Sequence, residues 1–286
     1  MLQRSTIQLL RFHFSIFLLP VYLFALSQVP DIHTVHALLI FFILHFLVYP
    51  SSNGYNSYMD RDEDSIGGVE KPMKPTRQLF YVTVVLDIVA VLLSLLVSWY
   101  FVAAILLYIL GSRAYSYRGI RLKKYPFIGY LTVAGCQGGV TFFMIYHGAS
   151  ISKTVDVPVD AMLAASLLMG SFYPLTQIYQ HKQDLKDGVK TISYVLGYRG
   201  TFIFTAIVYS LAMGTLAYYF NQQQKLNNFF TLATFLLPVL VYFFSWALQV
   251  WKDESKADFK HTMQMNILAS VCSNLAFFTI LIWRWF

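Results

Sequence analysis

Cysteine is nearly missing from this chain of 286 residues. There are two, Cys136 and Cys272, each inside an apolar stretch. That excludes a disulfide framework and any cysteine metal spacing, and leaves both as small packing residues. Charge is scarce too. Asp, Glu, Lys and Arg make up 12% of residues, against about 25% in an ordinary soluble domain, which excludes a freely soluble globular protein. Seven histidines show no paired spacing. A glycine-rich nucleotide loop and a serine nucleophile motif are both missing. The net charge of +7 is no nucleic-acid signal, because the basic residues fall in short loops between apolar segments.

What fills the chain is hydrophobic: 57% of residues, with mean hydropathy +0.55 and 45 Phe and Tyr together (25 and 20). A membrane span needs about 20 mostly apolar residues. Nine segments qualify: 7–29, 34–56, 78–97, 99–116, 125–147, 158–180, 201–220, 228–250 and 264–284. The expected fold is therefore all-α, a polytopic membrane protein of nine transmembrane helices, with residues 1–286 as one domain. The first segment has a basic start, as signal peptides do, but it is long and contains Arg11 and His13, so it reads as a span. Ser98 to Phe101 is a tight turn between the third and fourth spans. Asp87 lies near mid-bilayer in the third, where a lone acid is costly. A hydrogen bond to a Tyr, Ser or Thr of a neighbouring helix is expected.

Orientation follows from Lys and Arg. Arg4, Arg11, Arg61, Lys71, Lys74, Arg77, Arg113, Arg118, Arg121, Lys123, Lys124, Lys182, Lys186, Lys190, Arg199, Lys252, Lys256 and Lys260 fall on one side. Lys153, Lys225 and Arg284 fall on the other, a division of 18 against 3 of the 21. The N-terminus and the longer charged loops are expected in the cytoplasm and the C-terminus outside, in a bacterial inner membrane.

One stretch concentrates negative charge: Asn56-Ser-Tyr-Met-Asp60-Arg-Asp62-Glu63-Asp64. If the second helix continues to Asp64, Asn56, Asp60 and Asp64 share a face, each step rising about 6 Å. Like charges at that spacing repel, and acids at a helix C-terminus oppose its dipole. A bound divalent cation reverses that balance. Mg²⁺ prefers hard oxygen ligands and is commonly held by one or two carboxylates plus substrate phosphates. Gly67-Gly68 and Glu70-Lys71-Pro72-Met-Lys74-Pro75-Thr-Arg77 follow, a shaped loop whose cations suit a phosphate. A second polar stretch closes the sixth span on the same side: Gln180-His-Lys-Gln-Asp184-Leu-Lys186-Asp187-Gly188-Val-Lys190-Thr191.

Asn56-x-x-x-Asp60-x-x-x-Asp64, Lys71-Pro72-x-x-Pro75, and Asp184-x-x-x-Gly188-x-Lys190-Thr191 before Leu196-Gly197 together resemble the UbiA-type intramembrane prenyltransferases. The likeness covers nearly the whole chain. It implies a helical bundle around a central cavity, and two acidic motifs that bind Mg²⁺ and an isoprenyl diphosphate. Carried over, Asn56, Asp60, Asp64 and Asp184 hold metal, with Asp60, Asp64 and Asp184 catalytic. Lys71, Arg77, Tyr117, Arg121, Lys123 and Lys190 bind the diphosphate. Two positions depart from the family pattern. Gln180 and Ser57 stand where acids are common, which lowers the charge for a second ion and gives weight to Asp187.

The implied activity is Mg²⁺-dependent transfer of an isoprenyl group from a prenyl diphosphate to a hydrophobic acceptor, an aromatic or quinone precursor, inside the bilayer. Another donor or acceptor (tetrapyrrole, carotenoid, phosphoribosyl diphosphate) is the alternative. A transporter fits less well, because its polar groups lie at mid-membrane and here only Asp87 is deep. The sequence is silent on oligomeric state.

Overall fold

The computed structural model describes residues 1–285. Among these, all regular structure is helical apart from two isolated bridges. The first expected span is broken. Helix α1 (Arg4–Leu10) stops at Arg11, whose backbone is left-handed (φ 49°). A 3₁₀ stretch, Phe12–Phe17, leads to α2 (Leu19–Gln28), with a bend of 42° between the two halves. Pro20 in the first turn of α2 has no N–H to extend the helix backwards. Then come α3 (Thr34–Asp60), α4 (Arg77–Ser94), α5 (Trp99–Ser116), α6 (Pro126–Ala149) and α7 (Val159–Lys186). The last three are α8 (Ile192–Gln222), α9 (Leu226–Lys252) and α10 (Phe259–Ile282).

Seven of these helices are long and apolar enough to cross a membrane, and the bent α1–α2 pair makes eight. The expected ninth, 99–116, is helical as α5 but falls outside that set. Its last turns carry Ser112, Arg113 and Ser116 in place of apolar residues. Large apolar side chains cover the outside, as on α9 at Leu237, Val241, Phe244 and Leu248. In water that surface would be unstable; in lipid it costs nothing. The chain is an all-α integral membrane protein.

Three departures from regular helix shape the interior. In α3, residues Ile43–Val48 form a π-helix just before Pro50; a wider turn relieves the clash that a proline ring makes with the preceding turn. In α6, Gly135–Val140 forms a second π-helix, with no proline after it. The Cys136 carbonyl there accepts both the Thr141 N–H and, at 2.8 Å, the Thr141 hydroxyl. Gly138 there touches α7 so closely that a Cβ would sit 2.4 Å from Ser166 Cα. In α8, Gly197 has φ 69° and ψ 176°, a conformation open essentially to glycine alone. It sets the first turn of α8 at an angle to the rest.

The core is aromatic. Phe24 stacks on Phe277 (4.8 Å between ring centres) and meets Phe142 edge-on at 5.1 Å, joining α2, α10 and α6. Trp246 of α9 is fully buried and donates its indole N–H to the Lys256 carbonyl at 2.8 Å.

Asp87 has its expected hydroxyl partner: Ser51 Oγ of α3 donates to it at 2.6 Å. The larger partner is Arg113 of α5, which forms an ion pair with Asp87, its Nε 3.0 Å from Oδ2. The same guanidinium lies 3.9 Å from the centre of the Tyr55 ring. Arg113, counted from the sequence among the cations of one side, thus neutralises an acid within the bundle. Removing one partner from such a pair strands the other. Asp87→Ala should therefore lower stability by about 2–4 kcal/mol, read as thermal unfolding in detergent. The double variant Asp87→Leu, Arg113→Met should recover most of that loss. A double variant no more stable than Asp87→Ala would refute the account.

Candidate active site

Helix α3 ends at Asp60, not Asp64. Arg61 is left-handed (φ 56°), and its N–H bonds the Ser57 carbonyl at 3.1 Å. The like-charge run opposed to the helix dipole, noted from the sequence, is the physical reason to stop there. The shared face of Asn56, Asp60 and Asp64 therefore holds only for its first two members. Asn56 Nδ2 donates to Asp60 Oδ2 at 2.9 Å and to Ser116 Oγ at 3.1 Å.

Asp60 is the most enclosed acid of the cluster. Lys123 Nζ lies 2.7 Å from its Oδ2 and Arg121 Nη2 lies 3.4 Å from its Oδ1. Arg121 also pairs with Asp187. Arg118 approaches Asp187 at 3.5 Å and donates to the Met59 carbonyl at 2.8 Å. Gln183 Nε2 donates to Asp62 Oδ1 at 2.6 Å, and Gln180 Nε2 to the Ser65 carbonyl at 3.3 Å. Residues 61–76, 117–125 and 181–191 are thereby tied together at one end of the bundle.

Beneath this knot lies a cavity of about 300 Å³. Asn56, Asp60, Asp62, Lys123 and Asp184 line its polar end, while Val21, Phe24, Leu168, Phe172 and Phe277 line its apolar part. Burial pulls the Lys123 ammonium down, but the charges of Asp60 and Asp184 outweigh it and hold the group above its ordinary range. Burial, reinforced by Asp60 and opposed by Lys123, pushes Asp62 up to about 7. Among the described residues no three acid, His or Cys side chains are gathered closely enough to hold a cation unaided. The donor set is still of the right kind. Hard oxygens of Asp60, Asp62 and Asp184 and the Asn56 amide face one space, and a hard dication bound with a phosphate takes only one or two carboxylates from the protein.

The expected residues divide in two. Asn56, Asp60, Lys123 and Asp184 line the cavity, and Arg121 is bonded behind Asp60. Asp64, Lys71, Arg77, Tyr117 and Lys190 are exposed and outside the lining. Asp187 is likewise outside it, engaged by Arg121 and Arg118. Tyr115, two residues before Tyr117, lines the cavity, and its hydroxyl bonds that of Tyr173, which accepts from Gln177 Nε2 at 2.7 Å. The signal for Tyr115 was present, since Tyr108, Ser112 and Tyr115 share one face of α5 at helical spacing. Asp62 and Arg11 also line the cavity; no motif marked either as a site residue.

The chain is a lipid-embedded helical bundle with acids and cations gathered over an apolar cavity. The family model described as the UbiA prenyltransferase family matches residues 14–268, and the chain belongs to that family. It is a prenyltransferase. Digeranylgeranylglyceryl phosphate synthase of Methanococcus maripaludis is 26% identical over 192 residues, 67% of this chain and 68% of the relative. The protein of that name from Natronomonas pharaonis is 27% identical over 156 residues. There the match spans about half of each chain, 52% and 53%. A UbiA homolog from Archaeoglobus fulgidus, solved with DMAPP and Mg²⁺, superposes with a TM-score of 0.73 at 18% identity, over 97% of this chain and 99% of that one. A UbiA homolog from Aeropyrum pernix gives 0.70 at 16%, over 94% and 98%. At such identities the likeness is one of fold.

Asp62 makes the site titratable. Its folded pKa lies above the unfolded value of about 3.9, so the folded chain holds this proton more tightly. That favours folding at low pH and is lost as pH rises through about 7. In buffer with EDTA, Asp62→Asn should raise the unfolding temperature more at pH 8 than at pH 5. An equal shift at both values would contradict this.

Proposed function

We propose that this enzyme moves an isoprenyl group from a prenyl diphosphate to a hydrophobic acceptor, with Mg²⁺ at the acidic end of the cavity. The supporting observation is the meeting of Asn56, Asp60, Asp62 and Asp184 with Lys123 and Arg121 over one apolar space. Asn56, Asp60, Asp64 and Asp184 would hold the metal, with Asp62 beside them. When bound, the ion neutralises the diphosphate and stabilises its departure.

The chain's own residues do the rest. Lys123 and Arg121 present positive charge where the leaving oxygen gains negative charge. The bond from the prenyl C1 to oxygen breaks, and its electron pair leaves with diphosphate. The acceptor then bonds to C1 of the allylic cation and loses a proton. Apolar walls keep water from that cation, and aromatic rings such as Phe172 and Tyr108 are among the lining, a residue type that attracts cations. Asp64 is exposed, so loop 61–70 would fold inward for Asp64 to help hold the metal. Lys71, Arg77, Tyr117 and Lys190 lie in exposed segments from which they attract and steady the same anion.

The acceptor is a hydrophobic molecule of aromatic or quinone-precursor type. A second reading, an isoprenoid glyceryl phosphate acceptor, is favoured by the names of the two relatives. The membrane is the cytoplasmic one, with the N-terminus and the site in the cytoplasm, in keeping with the 18-to-3 division of cations. A transporter is disfavoured because the deep charge, Asp87, is already neutralised by Arg113.

The decisive assay is diphosphate release by the purified protein. It is run with prenyl diphosphates of increasing length and both acceptor classes, with and without Mg²⁺. Release should need metal and acceptor, and should fall by about 100-fold or more in Asp60→Ala, Asp64→Ala and Asp184→Ala. Hydrogen exchange should show residues 61–70 protected by Mg²⁺ with a non-cleavable diphosphate analogue. Release untouched by all three substitutions would sink the assignment.

A further inference from the structure

Helix α1 has seven residues, and a helix shorter than about 12–15 residues is marginal by itself. It holds because of what it lies on, the segment that follows the first acidic motif. The left-handed turn at Arg11 and the bend after it lay residues 1–14 across residues 66–78. Leu9 and Leu10 are buried there with Ile66, Val69 and Leu79, in a hydrophobic cluster distinct from the main core.

Polar bonds run the length of this overlap. Gln78 Oε1 accepts from the Gln3 N–H at 2.7 Å and from Thr6 Oγ1 at 3.0 Å. Gln8 takes hold of two backbone groups at once: its Oε1 accepts from the Met73 N–H at 2.8 Å, and its Nε2 donates to the Lys71 carbonyl at 3.3 Å. Arg11 Nη1 donates to the Gly67 carbonyl at 3.1 Å and Nη2 to the Asn53 carbonyl of α3 at 3.2 Å. His13 Nε2 donates to the Gly68 carbonyl at 3.0 Å. Gly67-Gly68, conspicuous in the sequence, are the seat. A Cβ at Gly67 would lie 2.9 Å from the Phe14 ring, and one at Gly68 (φ 79°) 2.8 Å from His13 Nε2, so only glycine lets the two segments close up. Ordering a loop costs backbone entropy at every residue, and the N-terminal segment supplies bonds that offset it. Asp62, Ile66 and Gly67 of the loop line the cavity beside Arg11 and Phe14.

We propose that residues 1–14 are a strap that positions the first acidic loop over the polar end of the cavity, and that Gln8 is its clasp, a positioning residue for the metal–diphosphate site. This rests on the prenyl-transfer reading and deepens it. The strap pins the loop from Gly67 to Met73, so the inward movement that carries Asp64 to the metal is confined to residues 61–65, between left-handed Arg61 and the seat. Loosening the clasp gives the loop more freedom to lose when ligand binds, and so weakens binding without touching a group that meets the ligand.

The test is hydrogen exchange on the full chain in detergent, read beside binding of a non-cleavable prenyl diphosphate with Mg²⁺. Gln8→Leu removes both bonds at similar volume. Gln8→Glu keeps the acceptor for Met73 and loses the donor to Lys71. Trp246→Phe, buried in α9 and outside the cavity lining, is the control for a general loss of stability. In Gln8→Leu, peptides covering residues 66–75 should exchange about 10-fold faster or more, with those of α9 and α10 unchanged. Affinity for the analogue should fall by about 10-fold, and turnover at saturating donor and Mg²⁺ should stay near wild type, because bound ligand orders the loop. Gln8→Glu should fall between the two. Trp246→Phe should lower the unfolding temperature and leave both loop exchange and affinity as they were. Loop exchange no faster in Gln8→Leu than in wild type overturns the proposal, as does an affinity loss that Trp246→Phe reproduces. Should Gln8→Leu fail to fold, Gln8→Glu is read in its place by the same criteria. An analogue that binds no version of the protein, beside faster loop exchange in the Gln8 variants, would count against the prenyl-transfer reading and leave the strap standing.

Discussion

A carboxylate cannot be buried alone, and Asp60 is the carboxylate around which this molecule closes. It lies where α3 must stop, and it is satisfied only by groups that other segments deliver: an amide one turn earlier on its own helix, Lys123 from the turn after α5, and Arg121 from the same turn. Arg121 then carries Asp187, which draws in the segment after α7. Three stretches remote in sequence are assembled by the need to neutralise one acid. The cavity beneath inherits its polar end from that assembly.

The spans were legible because lipid imposes a simple rule on composition, and most of their bounds lie close to those of the helices that form, though the helix read from 201 begins at Ile192. The acidic motif was legible as a concentration of charge with no structural benefit. Its geometry was not. A helix read straight through Asp64 places that residue beside Asp60, yet the repulsion that made the motif conspicuous also turns the backbone at Arg61. Cations were the least legible. Counting Lys and Arg by loop gives a sidedness and says nothing about which side chains fold back. Arg113 returns to Asp87, Arg121 and Lys123 turn inward, and Lys71, Arg77 and Lys190 stay out. Tyr115 and Tyr117 differ by two positions, enough at the end of a helix to separate a wall residue from a surface one.

The interior is also shaped by backbone that departs from the regular helix. The π-helical turns of α3 and α6 and the glycine break in α8 each change which face of a helix looks inward. Such breaks are tolerated at membrane depth where protein, not lipid, surrounds them. Thr141 adds a second hydrogen bond there, its hydroxyl joining its own N–H on the Cys136 carbonyl. A shared bundle with differently broken helices is one way for a fold at 16–19% identity to present different walls to different substrates.

Exposed Lys71, Lys74, Arg77, Lys182, Lys186 and Lys190 form a cationic collar at the end of the bundle where the site lies. Anionic amphiphiles in a leaflet gain about 1 kcal/mol per nearby basic residue, so the lipid annulus next to the collar is enriched in them. Substrates with greasy tails and charged heads then arrive by two-dimensional diffusion from that annulus. Turnover in such an arrangement follows the mole fraction of substrate in the bilayer, and diluting the membrane with neutral lipid slows the enzyme at constant bulk concentration.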